Sequence, residues 1–266
     1  AQRGSLTSVA TNANTYTSCD RFQLSGDNGT GVFSTSQSTD TPNEFGSSLK
    51  LDVTTADTSI ASNVGVRILT RIEGQDLQRI KKGTSDAQPL TMSFSVKSPK
   101  TGVHCLELLD LDNNRSVSKS YTVSSANTWQ NVSITFPADT TGAFDNDNAQ
   151  SLLPIWWLAA GSDYSSGTLQ TTWGSRVAAN RAVGQVNVLD DTSNDFYITG
   201  IQLEVGDTAT DFEHRTFGDE LARCHRYFIR RNSPQDGYPG SVPGFHGSSG
   251  YFNGVTQFEV EMRATP

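Results

Sequence analysis

Histidine and cysteine are the residues of this 266-residue sequence best able to act as bases, nucleophiles or metal ligands. His104 precedes Cys105, and Cys224 precedes His225. Adjacent residues point to opposite faces of a strand and do not face each other on a helix. The four histidines are also not spaced along the chain as the ligands of a metal site are. These are His104, His214, His225 and His246. The sequence therefore predicts neither a Cys–His catalytic pair nor a metal centre.

Motifs of common enzyme classes do not occur in the chain. It has no GxSxG nucleophile elbow, no HExxH, no GxGxxG and no phosphate loop. Aspartate and glutamate are plentiful, with 28 in total. A carboxylate pair for glycoside hydrolysis therefore remains an alternative to a non-enzymatic protein.

Two acidic segments resemble pieces of calcium-binding loops: DLDNN (Asp110–Asn114) and DNDN (Asp145–Asn148). Both lack the downstream glycine and the bidentate glutamate of such loops. Asx-rich turns are the favoured interpretation. We predict no cofactor and keep calcium as a minor alternative.

Aromatic residues in polar or Gly/Pro-rich loops are the candidate ligand-binding residues. An exposed aromatic face stacks on flat ligands such as sugar rings, and loops commonly carry binding residues. Tyr164 and Trp173 flank the polar stretch SSGTLQTT, whereas Tyr238, Phe245 and Tyr251 lie in or beside SPQDGYPGSVPGFHGSSG. These five residues are the sequence-based candidates.

The other tryptophans are expected to be structural. Trp156 and Trp157 are adjacent, so one should point into the core and the other toward a second layer or a subunit. Trp129 follows SSANT at the start of a strand and is expected to pack in the core.

Composition restricts the class of protein. Hydrophobic residues make up 35% and charged residues 18%, and the net charge is −8. No Lys/Arg-rich block accompanies that charge, so no nucleic-acid partner is expected, and the short basic run Arg79–Lys82 is interpreted as a solvated loop. No apolar stretch is long enough to cross a bilayer. The odd set Cys19, Cys105 and Cys224 predicts small buried side chains, not disulfides, and assembly in a reducing cytoplasm.

Alternation of apolar and polar residues predicts strands throughout most of the chain. The clearest segments are SLKLDV, VGVRILTRIEG, LTMSFSVKS, VSITF and YITGIQLEVG. Turn sequences separate them, which favours antiparallel sheets stacked as a jelly-roll sandwich. LLPIWWLAAG is apolar on both faces and is typical of a central strand covered on both sides.

One segment breaks this pattern. In FEHRTFGDELARCHRYF, acidic residues precede basic ones, as the dipole of a helix favours. Leu221, Cys224 and Phe228 form one apolar stripe. A helix this short needs a partner to persist, so the stripe predicts a subunit contact. The alternative is that the helix covers one end of its own sandwich.

The expected organisation has three parts. Residues 1–214 form the sandwich, 215–231 a helical connector, and 232–266 a small β module. Ala1 is not a methionine, and FEVEMRATP alternates like a strand still in progress where the sequence stops. The chain is therefore expected to be part of a longer polypeptide, with the C-terminal module incomplete.

Several of these segments resemble a family of phage structural proteins. The resemblance is carried in order by AQRG, YTSCDRF, LEVGDTATDFEHRTFGDELARCHRYF and FEVEMRATP. The interior segments EGQDLQRIKKGTSDAQPLTMSFSVKS and DNDNAQSLLPIWWLAAGS fit it too, so it extends from Ala1 to Pro266. The family comprises fibre-type or tail-associated proteins, common among marine and cyanobacterial phages, with a jelly roll similar to carbohydrate-binding modules.

The resemblance implies a virion location on the tail or capsid exterior, a homotrimer and host contact through a surface glycan. It supplies no catalytic residue. A capsid-decorating or head-fibre protein is the first alternative, because fold does not determine function. A polysaccharide-degrading enzyme is the second, although phage depolymerases usually resemble parallel β-helices with repeated rungs and no internal repeat occurs here.

Overall fold

The computed structural model of the protein describes residues 5–229, 244–246, 252–254 and 260–263. The strands, in chain order, are β1 Leu6–Ala10, β2 Asn14–Tyr16, β3 Gln23–Asp27, β4 Val32–Ser38, β5 Ser48–Thr55, β6 Gly65–Leu69, β7 Ile72–Glu73, β8 Leu90–Lys97, β9 Gly102–Asp110, β10 Arg115–Val123, β11 Gln130–Phe136, β12 Gln150–Ala160, β13 Gly174–Ser175, β14 Asp195–Val205, β15 Gly244–His246 and β16 Phe252–Gly254. The chain divides into two compact units between Glu213 and His214.

The first unit is a sandwich of two antiparallel sheets. One sheet has the order β1-β4-β5-β14-β8-β11, and the other has the order β13-β10-β9-β12-β6-β3-β2, with β7 paired to β12. The chain passes repeatedly from one sheet to the other, as it does in jelly rolls. The all-β, antiparallel jelly-roll sandwich predicted from the sequence is confirmed.

Alternating residues form the core where the sequence predicted it. Leu51 of β5, Met92 of β8 and Phe136 of β11 are almost completely buried between the sheets. Their polar neighbours point outward because successive side chains alternate across a strand. Burial of one face by this pattern is what holds each strand in register.

Two predicted strands are interrupted. VGVRILTRIEG forms β6 and β7 with a break at Thr70 and Arg71. In β14 the pairing with β8 shifts between Thr199 and Gln202. Val205, predicted to face the core, is 47% exposed at the end of that strand. Ile201 and Leu203 lie beyond Thr199 and still pack against the core, so Val205 is exposed because it is the last residue of the strand.

Strand β12 is covered on both faces, as predicted. Trp156 lies in the core between the sheets, against Phe22 and Phe94. Trp157 points the other way into a second apolar cluster that includes Leu153 and Ala182. That cluster is closed by residues 161–187, here called the cap layer. The opposite orientations expected for the two tryptophans are confirmed.

Two expectations about individual residues are wrong. Trp129 is not in the core: it is half-buried on the outer side of the six-stranded sheet, with its indole N–H donating to Asp40 Oδ1 (2.9 Å). Its strand, β11, begins one residue later, so the side chain lies at the sheet margin. The run Arg79–Lys82 is not a solvated loop, because Ile80 and Lys82 are each only 5% exposed.

Helical structure is more widespread than the periodicity predicted. A seven-residue 3-10 helix spans Gly74–Ile80, and the short helix α1 spans Ser162–Ser165 in the cap layer. These segments are too short to show a helical repeat in the sequence. No helix in the described part of the chain is long and apolar enough to cross a membrane.

The second unit contains the predicted helix and a strand pair. Helix α2 spans Phe217–His225. Thr216 caps its N-terminus, because the Thr216 hydroxyl oxygen accepts from the Asp219 N–H. Strands β15 and β16 pair antiparallel. Val260–Arg263 do not form the predicted strand, although Val260 and Met262 are half-buried and the residues that follow each are exposed. The Arg263 N–H instead donates to the Arg226 carbonyl (3.0 Å).

Candidate functional site

The two described aromatic candidates do not meet. Tyr164 lies in the cap layer against Trp157, with ring centroids 5.4 Å apart. Trp173 packs against the core between the sheets, and its indole N–H donates to the Pro137 carbonyl (2.9 Å). Both are half-buried. They pack against different hydrophobic clusters, so they do not form one stacking surface.

The remaining predicted residues lie in the second unit. Tyr238 and Tyr251 fall outside the described residues, and Phe245 is placed only through the backbone of β15. Leu221, Cys224 and Phe228 are half-buried, and Leu221 and Cys224 lie on α2. The role of these three residues between subunits stays a prediction.

A polar strip lies on the outer face of the eight-stranded sheet, beside the cap layer. Leu24 of β3 and Ile68 of β6 point into the core, so the residues on either side of them point outward. We define the polar strip by seven residues. These are Gln23, Ser25, Asp27, Arg67, Arg71, Gln150 and Tyr164. From Gln23 to Asp27 the strip is about 13 Å long, at roughly 3.3 Å per residue.

One end of the strip is an ion pair joined to the cap layer. Arg67 Nη1 donates to Asp27 Oδ2 (2.9 Å), and the Tyr164 hydroxyl lies 3.2 Å from the same oxygen. The Arg67 guanidinium also lies 5.3 Å from the Trp157 ring centroid. Burial raises the pKa of Tyr164, and the Asp27 carboxylate raises it further. Tyr164 is therefore a neutral hydroxyl that donates to Asp27.

The other end is built from neutral amides around an arginine. Arg71 Nε donates to Gln150 Oε1 (2.6 Å), and Arg71 Nη2 donates to Gln23 Oε1 (2.6 Å). Nη1 of the same guanidinium is buried and has no hydrogen-bond partner among the described residues. Arg71 therefore keeps unused donor capacity, since a guanidinium carries five N–H groups.

The chemistry of the strip is suited to binding and not to bond cleavage. Planar guanidinium, amide and carboxylate groups can each hold a pair of neighbouring hydroxyls, and the guanidinium can also hold a carboxylate. The acidic group on it, Asp27, is already paired with Arg67. A few polar groups held in fixed positions give a binding site specificity by orienting the ligand.

A buried lysine lies beside DLDNN, one of the two segments for which calcium binding is the minor alternative. Lys82 Nζ lies 2.6 Å from Asp110 Oδ2 and 3.0 Å from Asp139 Oδ2. It also donates to the carbonyls of Thr141 (2.9 Å) and Gly142 (2.7 Å). We call these five residues the lysine cage.

Aromatic rings and a glycine complete this arrangement. Lys82 Nζ lies 5.2 Å from the ring centroids of both Phe144 and Trp173. Gly142 has φ +73 and its absent Cβ would meet the Asn113 side chain at 2.6 Å, so only glycine suits this position. Trp173 is thus a wall of the lysine cage.

The two acidic loops form turns where they are described. Asp110 Oδ1 accepts from the Asn113 N–H (3.0 Å), which is an Asx turn. The Asp145 N–H donates to Asp112 Oδ2 (3.0 Å), so the loops DLDNN and DNDN contact each other. Within the described residues no group of three or more His, Cys, Asp or Glu side chains is arranged to hold a metal ion.

Sequence reasoning missed the polar strip as a site although part of its signal was present. Arg67 and Arg71 alternate with core residues in VGVRILTRIEG, which predicts that they face outward. Gln23 and Gln150 are 48 and 79 residues from Arg71 along the chain. No local pattern relates residues so far apart, because pairing of β3, β6 and β12 brings them together.

Comparisons with known proteins give structural similarities alone. No family model and no curated protein matches the chain. A solved structure of the enzymatically active domain of bacteriophage CBA120 tailspike protein 4 is 14% identical, with a TM-score of 0.39; the match covers 70% of this chain and 19% of that one. A family 11 carbohydrate-binding module from Clostridium thermocellum, solved with a β-1,3-1,4-mixed-linked tetrasaccharide, is 13% identical over 76% of this chain and 96% of that one, with a TM-score of 0.38.

A xylan-binding domain of family 22 is similar to the same extent. It is 12% identical over 74% of this chain and 95% of that chain, with a TM-score of 0.38. At these identities and TM-scores, the assignment of the fold rests on the strand order of the chain itself.

Proposed function

We propose that the protein is a non-enzymatic structural protein of a phage virion, a fibre or tail-fibre component that contributes to host attachment by binding carbohydrate. The virion assignment rests on the sequence resemblance carried by FEHRTFGDELARCHRYF and the segments around it. Its partners would be other copies of itself, other virion proteins and a host-surface glycan. It would lie on the exterior of the tail or capsid.

The polar strip is the observation that supports carbohydrate binding. Its planar polar groups lie in a row on a rigid sheet, and Arg71 Nη1 has no hydrogen-bond partner in the part of the chain that the structure describes. Tyr164 stands at one end with its ring against Trp157. Rigid placement of such groups reduces the entropy lost when a flexible sugar chain binds.

A glycan array followed by calorimetry on the hits tests this proposal. Replacing Gln23 and Asp27 by alanine should weaken binding by about tenfold or more, because each removes a hydrogen-bonding group from the strip. Arg176→Ala is the matched control, since Arg176 is exposed and lies outside the strip. No hit at high protein concentration, or equal loss in the control, would contradict carbohydrate binding at this surface.

The alternatives are separated by two further measurements. Incubation of the purified protein with host polysaccharide should release no new reducing ends; their appearance would establish the polysaccharide-degrading enzyme. Immunogold labelling of the particle should mark the tail. Label distributed over the whole capsid would instead support the capsid-decorating or head-fibre protein.

Trimer formation through α2 is part of the proposal. Leu221 and Cys224 on the helix and Phe228 beyond it are half-buried within the chain, so part of each remains available to a partner. Replacing Leu221 and Phe228 by serine should dissociate the homotrimer, as measured by light scattering. An equally stable trimer would show that the stripe packs only within its own chain.

A further inference from the structure

We infer that the polar strip selects an acidic saccharide, one that carries a carboxylate such as a uronic acid, and that Arg71 is the residue that binds this carboxylate. The inference rests on the proposed carbohydrate binding and adds the chemical class of the ligand. It identifies a specificity-determining residue for which the sequence offered no candidate.

The surroundings of Arg71 carry the argument. Its two hydrogen-bond partners among the described residues, Gln150 and Gln23, contribute amide oxygens at 2.6 Å. An amide orients a guanidinium without neutralising it, so the positive charge remains available. Nη1 also has no hydrogen-bond partner among the described residues. A carboxylate would supply both the missing charge and the missing acceptor.

Other arginines of the sandwich are paired differently. Arg67 contacts Asp27 at 2.9 Å, Arg115 contacts Asp139 at 2.8 Å, and Arg181 contacts Glu107 at 2.8 Å. Each of these arginines therefore has a carboxylate that offsets its charge. Arg71 differs because no carboxylate of the described residues lies within ion-pair distance of it.

The two amide partners of Arg71 differ in exposure. Gln150 is exposed at the start of β12, whereas Gln23 is buried with 7% of its surface accessible. Rotation of the Gln150 amide would free Arg71 Nε for a ligand carboxylate while Gln23 still accepts from Nη2. Planar, bidentate contact between guanidinium and carboxylate is the geometry that arginine favours.

The net charge of −8 does not oppose this contact strongly. Distant charges are screened beyond about 8 Å at physiological ionic strength. The ligand carboxylate would touch Arg71 directly, so the local charge decides the interaction. Binding of the acidic ligand should weaken as salt is added, whereas binding of a neutral sugar should not.

The test compares an oligogalacturonide, its methyl ester and neutral xylohexaose by calorimetry on the full chain. Wild-type protein should bind the acid about tenfold or more tightly than the ester. Gln150→Glu should abolish this preference, because the new carboxylate pairs with Arg71 in place of the ligand. Gln88→Glu is the control: it makes the same charge change at an exposed residue outside the strip.

A second variant separates charge from folding. Arg71→Met should remove the preference for the acid while lowering the thermal unfolding midpoint by no more than about 4 °C. Equal affinity of the wild type for acid and ester, or an unchanged preference in Gln150→Glu, would overturn the inference and leave carbohydrate binding intact. Failure of folded wild-type protein to bind any of the three, together with an empty glycan array, would overturn both.

Discussion

Two cationic side chains of the sandwich, Lys82 and Arg71, are held in opposite ways. Lys82 is 5% exposed and contacts two carboxylates and two carbonyls. Arg71 is half-buried and contacts two neutral amides. The lysine is saturated by its surroundings, whereas the arginine keeps both charge and donor capacity.

This difference separates a structural cation from one available to a ligand. A buried ion pair contributes to stability only when its geometry and hydrogen bonds are complete, which the lysine cage satisfies. A cation with neutral partners is useful for recognition, because its charge is not yet compensated. The environment, more than the residue type, therefore assigns the role.

The largest effect is expected when the cage loses its cation. Lys82→Met leaves Asp110 buried without a counter-ion, although Asp139 still pairs with Arg115, and should lower the free energy of unfolding by about 3 to 5 kcal/mol. Urea unfolding followed by tryptophan fluorescence measures it, since all four tryptophans lie in the first unit. Lys81→Met is the control: Lys81 is 56% exposed in its side chain and should change stability by less than about 0.5 kcal/mol. A loss below about 1 kcal/mol for Lys82→Met would contradict a structural role.

His104 is a third residue that can carry a positive charge, and it is completely buried. His104 has neutral partners, as Arg71 does, but it is 0% exposed and stacks on Tyr121. Burial lowers its pKa from 6.5 to about 4, so the folded protein holds it uncharged. The unfolded chain binds the proton first, so stability should fall as the pH drops from 6.5 to 4. The loss should be roughly 3 kcal/mol.

Unfolding at a series of pH values checks this window. His104→Gln should remove most of the dependence between pH 6.5 and pH 4, because glutamine does not titrate. An unchanged profile in that variant would mean that other groups dominate the acid sensitivity.

The Asp139 carboxylate of the cage should be sensitive to acid, whereas the Arg71 contacts should not. Burial alone would raise the pKa of Asp139, but hydrogen bonds from Arg115 and Lys82 outweigh it and hold the pKa below its usual 3.8. Its contribution is therefore complete above that value and is lost as the pH falls through the lower folded pKa. Asp139→Asn should cost about 1 to 3 kcal/mol at neutral pH and should flatten the stability profile below pH 4. A profile parallel to wild type would argue against this ion pair.

The smallest effect on stability is expected at Arg71. Arg71→Met removes two hydrogen bonds at a half-buried site and should lower the free energy of unfolding by about 1 kcal/mol or less. This loss should be the same between about pH 4 and pH 8, because the amide partners do not titrate in that range. A loss as large as that of Lys82→Met would remove the distinction between the two cations and make Arg71 a structural residue.

The sandwich could be predicted because it depends on local alternation. Leu49, Leu51 and Val53 lie on one face of β5 in the sequence and in the structure alike. The double covering of β12 was visible for the same reason, since Trp156 and Trp157 are both apolar and adjacent. Trp129 and Lys82 were misplaced because their burial depends on distant loops, not on the strands beside them.

What the sequence by itself determined was which residues face the core, since side chains of a strand alternate whatever the strand pairs with. It also determined the start of α2, where Thr216 is followed at the third position by Asp219. Only the tertiary structure decided which polar residues meet. Lys82 reaches Asp110 and Asp139 across 28 and 57 residues, and Arg71 reaches Gln23 across 48. Such contacts arise from strand order and loop closure, which no local pattern encodes.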